Sequence, residues 1–337
     1  MKKLFIAAAV ILLFVLVFFV YGTWYASSGL ISYRYSAAPD VFDMRLNTFS
    51  KRHGVRVEKT VFNTYEKSDA GSGKKIELRG WLVPGPDAQA PLFIVLHGRG
   101  ASRLSTLKWM SMFHDAGYSV LSYDQRCHGL SGGDYSTGGY YESYDLSAVI
   151  DFVQARKDLN PRSIGVLGAS MGGAAAIMAA SRDKRIDVLV DDSAFAHLPA
   201  FYADYIERKS SSFHRMIFTR PATWLSEYRA DFRLSGVSPV TAVKKVRIPT
   251  LIIHCMEDTV TRASASKLIH RASGAQRKKL KLFKNCAHCG AINRHPGKYV
   301  NLVLGFVNRA GPTACVGRPG EGGAGSSLYG GPEPASR

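Results

Sequence analysis

Between Ile164 and Ala180 an apolar run, Ile164-Gly165-Val166-Leu167, passes into a run of small residues, Gly172-Gly173-Ala174-Ala175-Ala176-Ile177-Met178-Ala179-Ala180. The two are joined by Gly168-Ala169-Ser170-Met171-Gly172. This pattern predicts a buried strand, a sharp turn and a helix, with the serine at the turn. Glycines on either side let strand and helix approach closely, and the turn lifts the serine hydroxyl above the end of a sheet. The five-residue pattern alone also describes an ordinary Gly/Ser turn. Its flanks are what make it informative.

Further segments complete the pattern in a fixed order. Pro91–Leu96 reads as a buried strand that runs into His97-Gly98-Arg99-Gly100. A loop of this kind either presents a backbone N–H to a developing oxyanion or is a plain strand-to-helix turn. In the first case the donors are the N–H groups of Arg99 and of Met171, the residue after the serine. Tyr118–Tyr123 is a strand that ends in Asp124-Gln125-Arg126-Cys127-His128-Gly129-Leu130-Ser131-Gly132, where Asp124 and Arg126 are expected to tie the turn together. Ile248–Cys255 is another buried strand, with Asp258 just past it. Leu280–Phe283 is a last strand, followed by Asn285-Cys286-Ala287-His288-Cys289-Gly290.

Ser170, Asp258 and His288 therefore occur in the order nucleophile, acid, base. A serine hydroxyl is a weak nucleophile until a base takes its proton. His288 would be that base, and Asp258 would fix its tautomer and stabilise its cation. Glu257, Asp191 and Asp192 are rival acids, the last two at the end of the strand Ile186–Val190. His128 precedes the serine, which is the wrong order for the base.

On these motifs the chain resembles the α/β-hydrolase superfamily. It is most similar to membrane-anchored serine hydrolases related to the Bem46 and serine aminopeptidase-like groups. The resemblance covers roughly residues 55–308. It implies an α/β-hydrolase fold: a mainly parallel sheet with helices on both faces and a helical lid insertion. It also implies a hydrolase acting through an acyl-enzyme on an ester, thioester or amide. A carboxylesterase or lipase-like activity on a small acyl substrate is the leading expectation. An aminopeptidase-like activity on small peptides and a catalytically silent membrane scaffold are the alternatives. The chain departs from the family at Cys127 and Cys255, where glycine is usual, and at Cys289, where a small residue is common.

The five cysteines, Cys127, Cys255, Cys286, Cys289 and Cys315, are an odd number. Cys286 and Cys289 bracket His288. Small buried fillers are one reading of this pair. In an oxidising compartment the two are alternatively expected to come within disulfide range across His288. The sequence has neither a phosphate-binding loop nor a metal constellation, and no cofactor is expected.

Lys2-Lys3 precede an uncharged apolar run from Leu4 to Val20, extended by Tyr21–Tyr25. The run is long enough to span a bilayer, and Trp24 and Tyr25 suit an interface. The expected organisation is a transmembrane anchor over 1–25, a linker over 26–54, a hydrolase domain over 55–308 and a disordered tail over 309–337. A cleaved signal peptide is the rival for the first segment. Lys2-Lys3 outweigh Arg34, which places the catalytic domain on the non-cytoplasmic side.

Within the domain, residues 193–246 interrupt the alternation of strands and helices. This aromatic-rich insertion is the expected lid. Helix packing accounts for most of its rings, and the remainder could line an acyl pocket. The net charge of +18 includes two basic clusters, Lys244-Lys245-x-Arg247 and Arg277-Lys278-Lys279-x-Lys281. No nucleic-acid recognition motif accompanies them, so membrane lipid rather than nucleic acid is the expected partner.

Overall fold

The computed structural model describes residues 1–32, 38–209 and 211–310. The expected tail beyond 310, Cys315 and part of the expected linker lie outside the described residues. In chain order the helices are α1 (Lys2–Ile31), α2 (Pro39–His53), α3 (Leu107–Asp115), α4 (Tyr140–Ala155), α5 (Met171–Ala180), α6 (Leu198–Lys209), α7 (Ser212–Ala230), α8 (Pro239–Ala242), α9 (Ala263–Ala272), α10 (Ala291–Arg294) and α11 (Pro296–Ala310). The strands are β1 (Glu58–Lys67), β2 (Ser72–Val83), β3 (Leu92–Leu96), β4 (Ser119–Tyr123), β5 (Ile164–Ala169), β6 (Val188–Asp192), β7 (Thr250–Cys255) and β8 (Lys278–Phe283).

These strands form one eight-stranded sheet in the order β1-β2-β4-β3-β5-β6-β7-β8. The β1–β2 hairpin is antiparallel and β2 pairs antiparallel with β4, whereas β4 through β8 run parallel. The five residues of β3 are all buried, as a parallel strand covered on both faces requires. Alternate side chains serve opposite layers. Ile94 and Leu96 pack with α4 and α5 residues such as Leu146, Val149 and Ile177. Phe93 and Val95 pack with Trp109 and Phe113 of α3 and Phe306 of α11.

One departure from the sequence reading concerns the N-terminal region. The first helix does not stop near Tyr25 but continues to Ile31, because Leu30 and Ile31 belong to the core of the sheet's α4/α5 face. The described remainder of the expected linker is largely α2, whose Phe42, Leu46 and Phe49 pack on the opposite face. The hairpin strands β1 and β2 are joined by a tight turn over residues 68–71.

Between β6 and β7 the expected lid folds as α6, α7 and α8. Of its aromatic residues, Phe195, Tyr202, Phe218 and Phe232 are buried, whereas Trp224 and Tyr228 are exposed and stacked on each other at 5.9 Å.

Candidate active site

Ser170 stands between the end of β5 and the first residue of α5. Its backbone has φ 54° and ψ −117°, a conformation strained for a residue with a Cβ. The strain is held by what surrounds it. The Ser170 N–H donates to the Asp192 carbonyl at 2.8 Å. A Cβ on Gly172 would stand 2.6 Å from the His97 carbonyl oxygen, so only glycine lets the head of α5 lie against the end of β3.

The loop after β3 lies against the same serine. A Cβ on Gly98 would be 3.2 Å from the Ser170 Cβ. The loop is fixed by neutral histidines. His97 Nε2 accepts from the Gln125 N–H at 2.9 Å, and its Nδ1 lies 2.7 Å from the Gly98 carbonyl oxygen as donor. Burial, followed by the neighbouring His128, pushes the His97 pKa down to about 3. His128 Nε2 accepts from the Gly100 N–H at 3.1 Å. His128 thus braces the loop from behind. Asp124 pairs with Arg103 and accepts from the Leu130 N–H, and Arg126 pairs with Asp145 at 2.7 Å. These two residues tie the turn together.

Asp258 and His288 come together at the ends of β7 and β8, with His288 Nδ1 donating to Asp258 Oδ2 at 2.6 Å. The carboxylate also accepts from the N–H groups of Val260 and Thr261, at 2.8 and 3.0 Å. Burial alone would raise the Asp258 pKa. Hydrogen bonds from His254 and His288 overcome it and hold the carboxyl well below the usual range. Burial likewise disfavours the His288 cation, but the charge of Cys289 and the Asp258 carboxylate oppose it and the pKa is raised well above 6.5. Because burial pushes the Cys289 thiol up, Asp258 is the group that acts near neutral pH.

The loops that carry Ser170 and His288 meet at the Asp192 carbonyl, which takes the Ser170 N–H at 2.8 Å and faces the Cys289 thiol at 3.7 Å. Asp191 and Asp192 themselves are engaged elsewhere. Asp192 accepts from the hydroxyls of Tyr299 and Ser193, at 2.8 and 2.9 Å, and Asp191 accepts from the Ala194 N–H at 3.1 Å. Glu257 is exposed.

Two features escaped the sequence reading. His254 is a second imidazole on the same acid, with Nε2 3.2 Å from Asp258 Oδ2 and Nδ1 2.6 Å from Ser266 Oγ. A histidine inside a buried strand gives no signal of which loop it will meet. The second is a correction. Cys286 is bonded not to Cys289 but to Cys255, with Cα atoms 5.4 Å apart. The register explains it: β7 pairs with β8 so that Cys255 lies opposite Phe283, and the chain then folds Cys286 back over the end of β7. Cys289 is free and takes φ 51°, as Cys127 takes φ 60°. Both hold left-handed positions where glycine carries no steric cost. Among the described residues no cluster of His, Cys, Asp or Glu side chains could hold a metal ion.

A family model described as "Alpha/beta hydrolase family" matches residues 93–302. The uncharacterized protein YqkD of Bacillus subtilis is 27% identical over 255 residues, 74% of this chain and 82% of that protein. The thiohydrolase aneE of Aspergillus aculeatus is 30% identical over a shorter stretch, 38% of this chain and 41% of that protein. Among solved structures, the Pyrococcus furiosus esterase Pf2001 superposes with a TM-score of 0.66 at 22% identity, covering 83% of this chain and 98% of the esterase. That last likeness is one of fold.

Proposed function

Because this chain belongs to the α/β-hydrolase family, we propose that it is a serine hydrolase that cleaves acyl esters through an acyl-enzyme, in the manner of a carboxylesterase or lipase. The observation that carries this reading is the positive-φ Ser170 at the junction of β5 and α5, whose N–H meets the same Asp192 carbonyl that faces Cys289, the neighbour of the Asp258-paired His288. In the proposed reaction His288 takes the Ser170 proton as the hydroxyl attacks the acyl carbonyl. The tetrahedral oxyanion is held by the N–H groups of Arg99 and Met171, the latter at the positive end of α5. His288 then protonates the leaving alcohol, and water enters to release the acid by the same route. A thioester would follow the same steps, and the name of the aneE relative supports including that class.

The apolar helix α1 is long enough to cross a membrane, and we read it as an uncleaved anchor with the hydrolase domain on the non-cytoplasmic side. Lys2-Lys3 support that orientation. So does the Cys255–Cys286 disulfide, since such bonds persist in oxidising compartments.

The test is labelling by a fluorophosphonate probe, together with turnover of short and long acyl esters, acyl thioesters and aminoacyl amides. Wild type is expected to label and to hydrolyse the oxygen esters best, and Ser170→Ala to do neither. Labelling of Ser170→Ala would remove the nucleophile assignment. Preference for the amides would make the enzyme a peptidase, and a folded wild type that neither labels nor turns over would make it a scaffold.

A further inference from the structure

Asp258 is held by two sets of contacts that differ in kind. Val260 and Thr261, two and three residues on, give their N–H groups to Oδ1 at 2.8 and 3.0 Å. This is a local turn, in which an aspartate bonds the backbone just ahead of it. It fixes the carboxyl within its loop and leaves the loop itself to be placed. Oδ2 faces the base. It receives His288 Nδ1 at 2.6 Å and lies 3.0 Å from the Thr261 hydroxyl oxygen.

His254 places the loop. It is the next-to-last residue of β7, and its side chain is fully buried. Nε2 lies 3.0 Å from the Thr261 carbonyl oxygen and 3.2 Å from Asp258 Oδ2. Both are acceptors, so Nε2 carries its hydrogen whether the ring is neutral or charged. Nδ1 lies 2.6 Å from the hydroxyl of Ser266, in the first turn of α9. A hydroxyl donates to a neutral ring and accepts from a charged one, so it suits both states. One ring therefore joins the strand, the acid loop and α9. The charged groups that bear on it are Asp258 and, from β6, Asp191 and Asp192, with His288 across the carboxylate. From α9 it meets Ser266, which does not titrate.

The same loop reaches the nucleophile. Thr261 Oγ1 lies 3.0 Å from the Ser193 carbonyl oxygen. Ser193 follows Asp192, whose carbonyl takes the Ser170 N–H.

We propose that His254 is a positioning residue for the hydrolysis: its Nε2–H pins the Thr261 carbonyl beside Asp258 Oδ2 and so aims the carboxylate at His288 Nδ1. The proposal rests on the serine-hydrolase reading. His254 acts through Asp258. Without its N–H the buried Thr261 carbonyl loses a donor, the turn that carries Asp258 is released from β7, and the His288 ring is held less firmly. The carboxylate also loses a neighbouring donor. Its charge then bears more fully on His288, which favours the imidazolium and makes a poorer base at a given pH.

The test compares His254→Gln with His254→Asn in the full chain in detergent. Both side chains are uncharged, polar and no larger than imidazole. The glutamine amide reaches the place of Nε2, whereas the asparagine amide reaches only that of Nδ1. Turnover of umbelliferyl butyrate is followed from about pH 5 to 9, with fluorophosphonate labelling alongside. The kcat of His254→Asn is expected to fall about tenfold below that of His254→Gln, with similar KM. Its acid limb should lie about half a pH unit higher. Ser266→Ala leaves the Nε2 donor in place, so it should behave as His254→Gln does and carries the test without altering His254. Equal kcat in the two His254 variants, superimposed pH profiles, or a Ser266→Ala that behaves as His254→Asn does would each overturn the role of Nε2. With wild-type turnover and labelling intact, any of those results would leave the hydrolase reading standing. A folded wild type that neither labels nor turns over would remove the hydrolase reading and this one with it.

Discussion

Asp258 is shared by two imidazoles, and the consequence for pH is specific. A general base must be neutral, and the carboxylate that orients His288 also stabilises its cation. The acid limb of kcat/KM should therefore fall with its midpoint above about 6.5, the ordinary histidine value. A profile on a soluble ester that stays flat down to pH 5 would contradict His288 as base. Asp191 gives the opposite kind of linkage. Burial, only partly offset by His254, pushes its pKa up to about 7, and Oδ2 has no hydrogen-bond partner. The folded state thus holds a proton that the unfolded chain releases near pH 4. Stability contributed by this group is full below that pH and declines as pH rises toward 7, by a few kcal/mol at most. Asp191→Asn should flatten that decline, visible in Tm measured from pH 4 to 8. An unaltered slope would mean that Asp191 is ionised throughout. At this scale chain order alone pointed to Asp258 and His288, which are now seen paired. His254 was not legible, because its partner is set by how the loop after β7 curls back and no local pattern encodes that.

At the scale of elements, the elbow and the parallel strands were readable because they depend on local chemistry: continuous apolar runs, small residues and glycine. Gly172→Ala tests the tightest of these approaches. Its methyl would meet the backbone oxygens of His97 and Leu96 at 2.6 and 2.7 Å, and backbone cannot yield as a flexible side chain can. The substitution should cost roughly 2–4 kcal/mol of stability and shift the serine enough to lower kcat about 100-fold or more. Near-wild-type kcat would show that α5 can retreat. The disulfide was misread for the converse reason. The spacing of Cys286 and Cys289 suggested a local pair, but the pairing of β7 with β8 brings Cys255 into bonding range of Cys286. This bond ties the end of the strand that leads to Asp258 to the loop that carries His288. Cys255→Ser/Cys286→Ser should lose roughly 3–4 kcal/mol of stability, and wild type treated with dithiothreitol should lose activity in parallel. Equal activity with and without reductant would detach the bond from the site.

For the whole molecule, the two ends of the sheet are distinct. The basic clusters at Lys244–Arg247 and Arg277–Lys281 lie at the starts of β7 and β8, whereas the anchor meets the site at the strands' far ends, roughly 17–20 Å away. Their charge therefore has no part in seating α1. The sequence showed that an apolar helix leads the chain, but a hydropathy pattern cannot show that the helix's last turns enter the domain core. Two truncations separate the roles. Removing residues 1–16 takes away exposed apolar surface and leaves Phe18, Phe19, Thr23, Ser27, Leu30 and Ile31 in place. That protein should keep its Tm and its turnover of short soluble esters. Removing residues 1–31 uncovers the site on Leu30 and Ile31, a loss of roughly 3–6 kcal/mol. It also strips Arg99, Tyr202 and Arg229 of the partners they hold on α1. Its Tm should fall by about 10 °C or more, and its kcat should fall even where it remains folded, because the loop beside Ser170 has lost its clamp. Equal Tm and kcat in the two truncations, measured side by side in detergent, would reduce α1 to a tether.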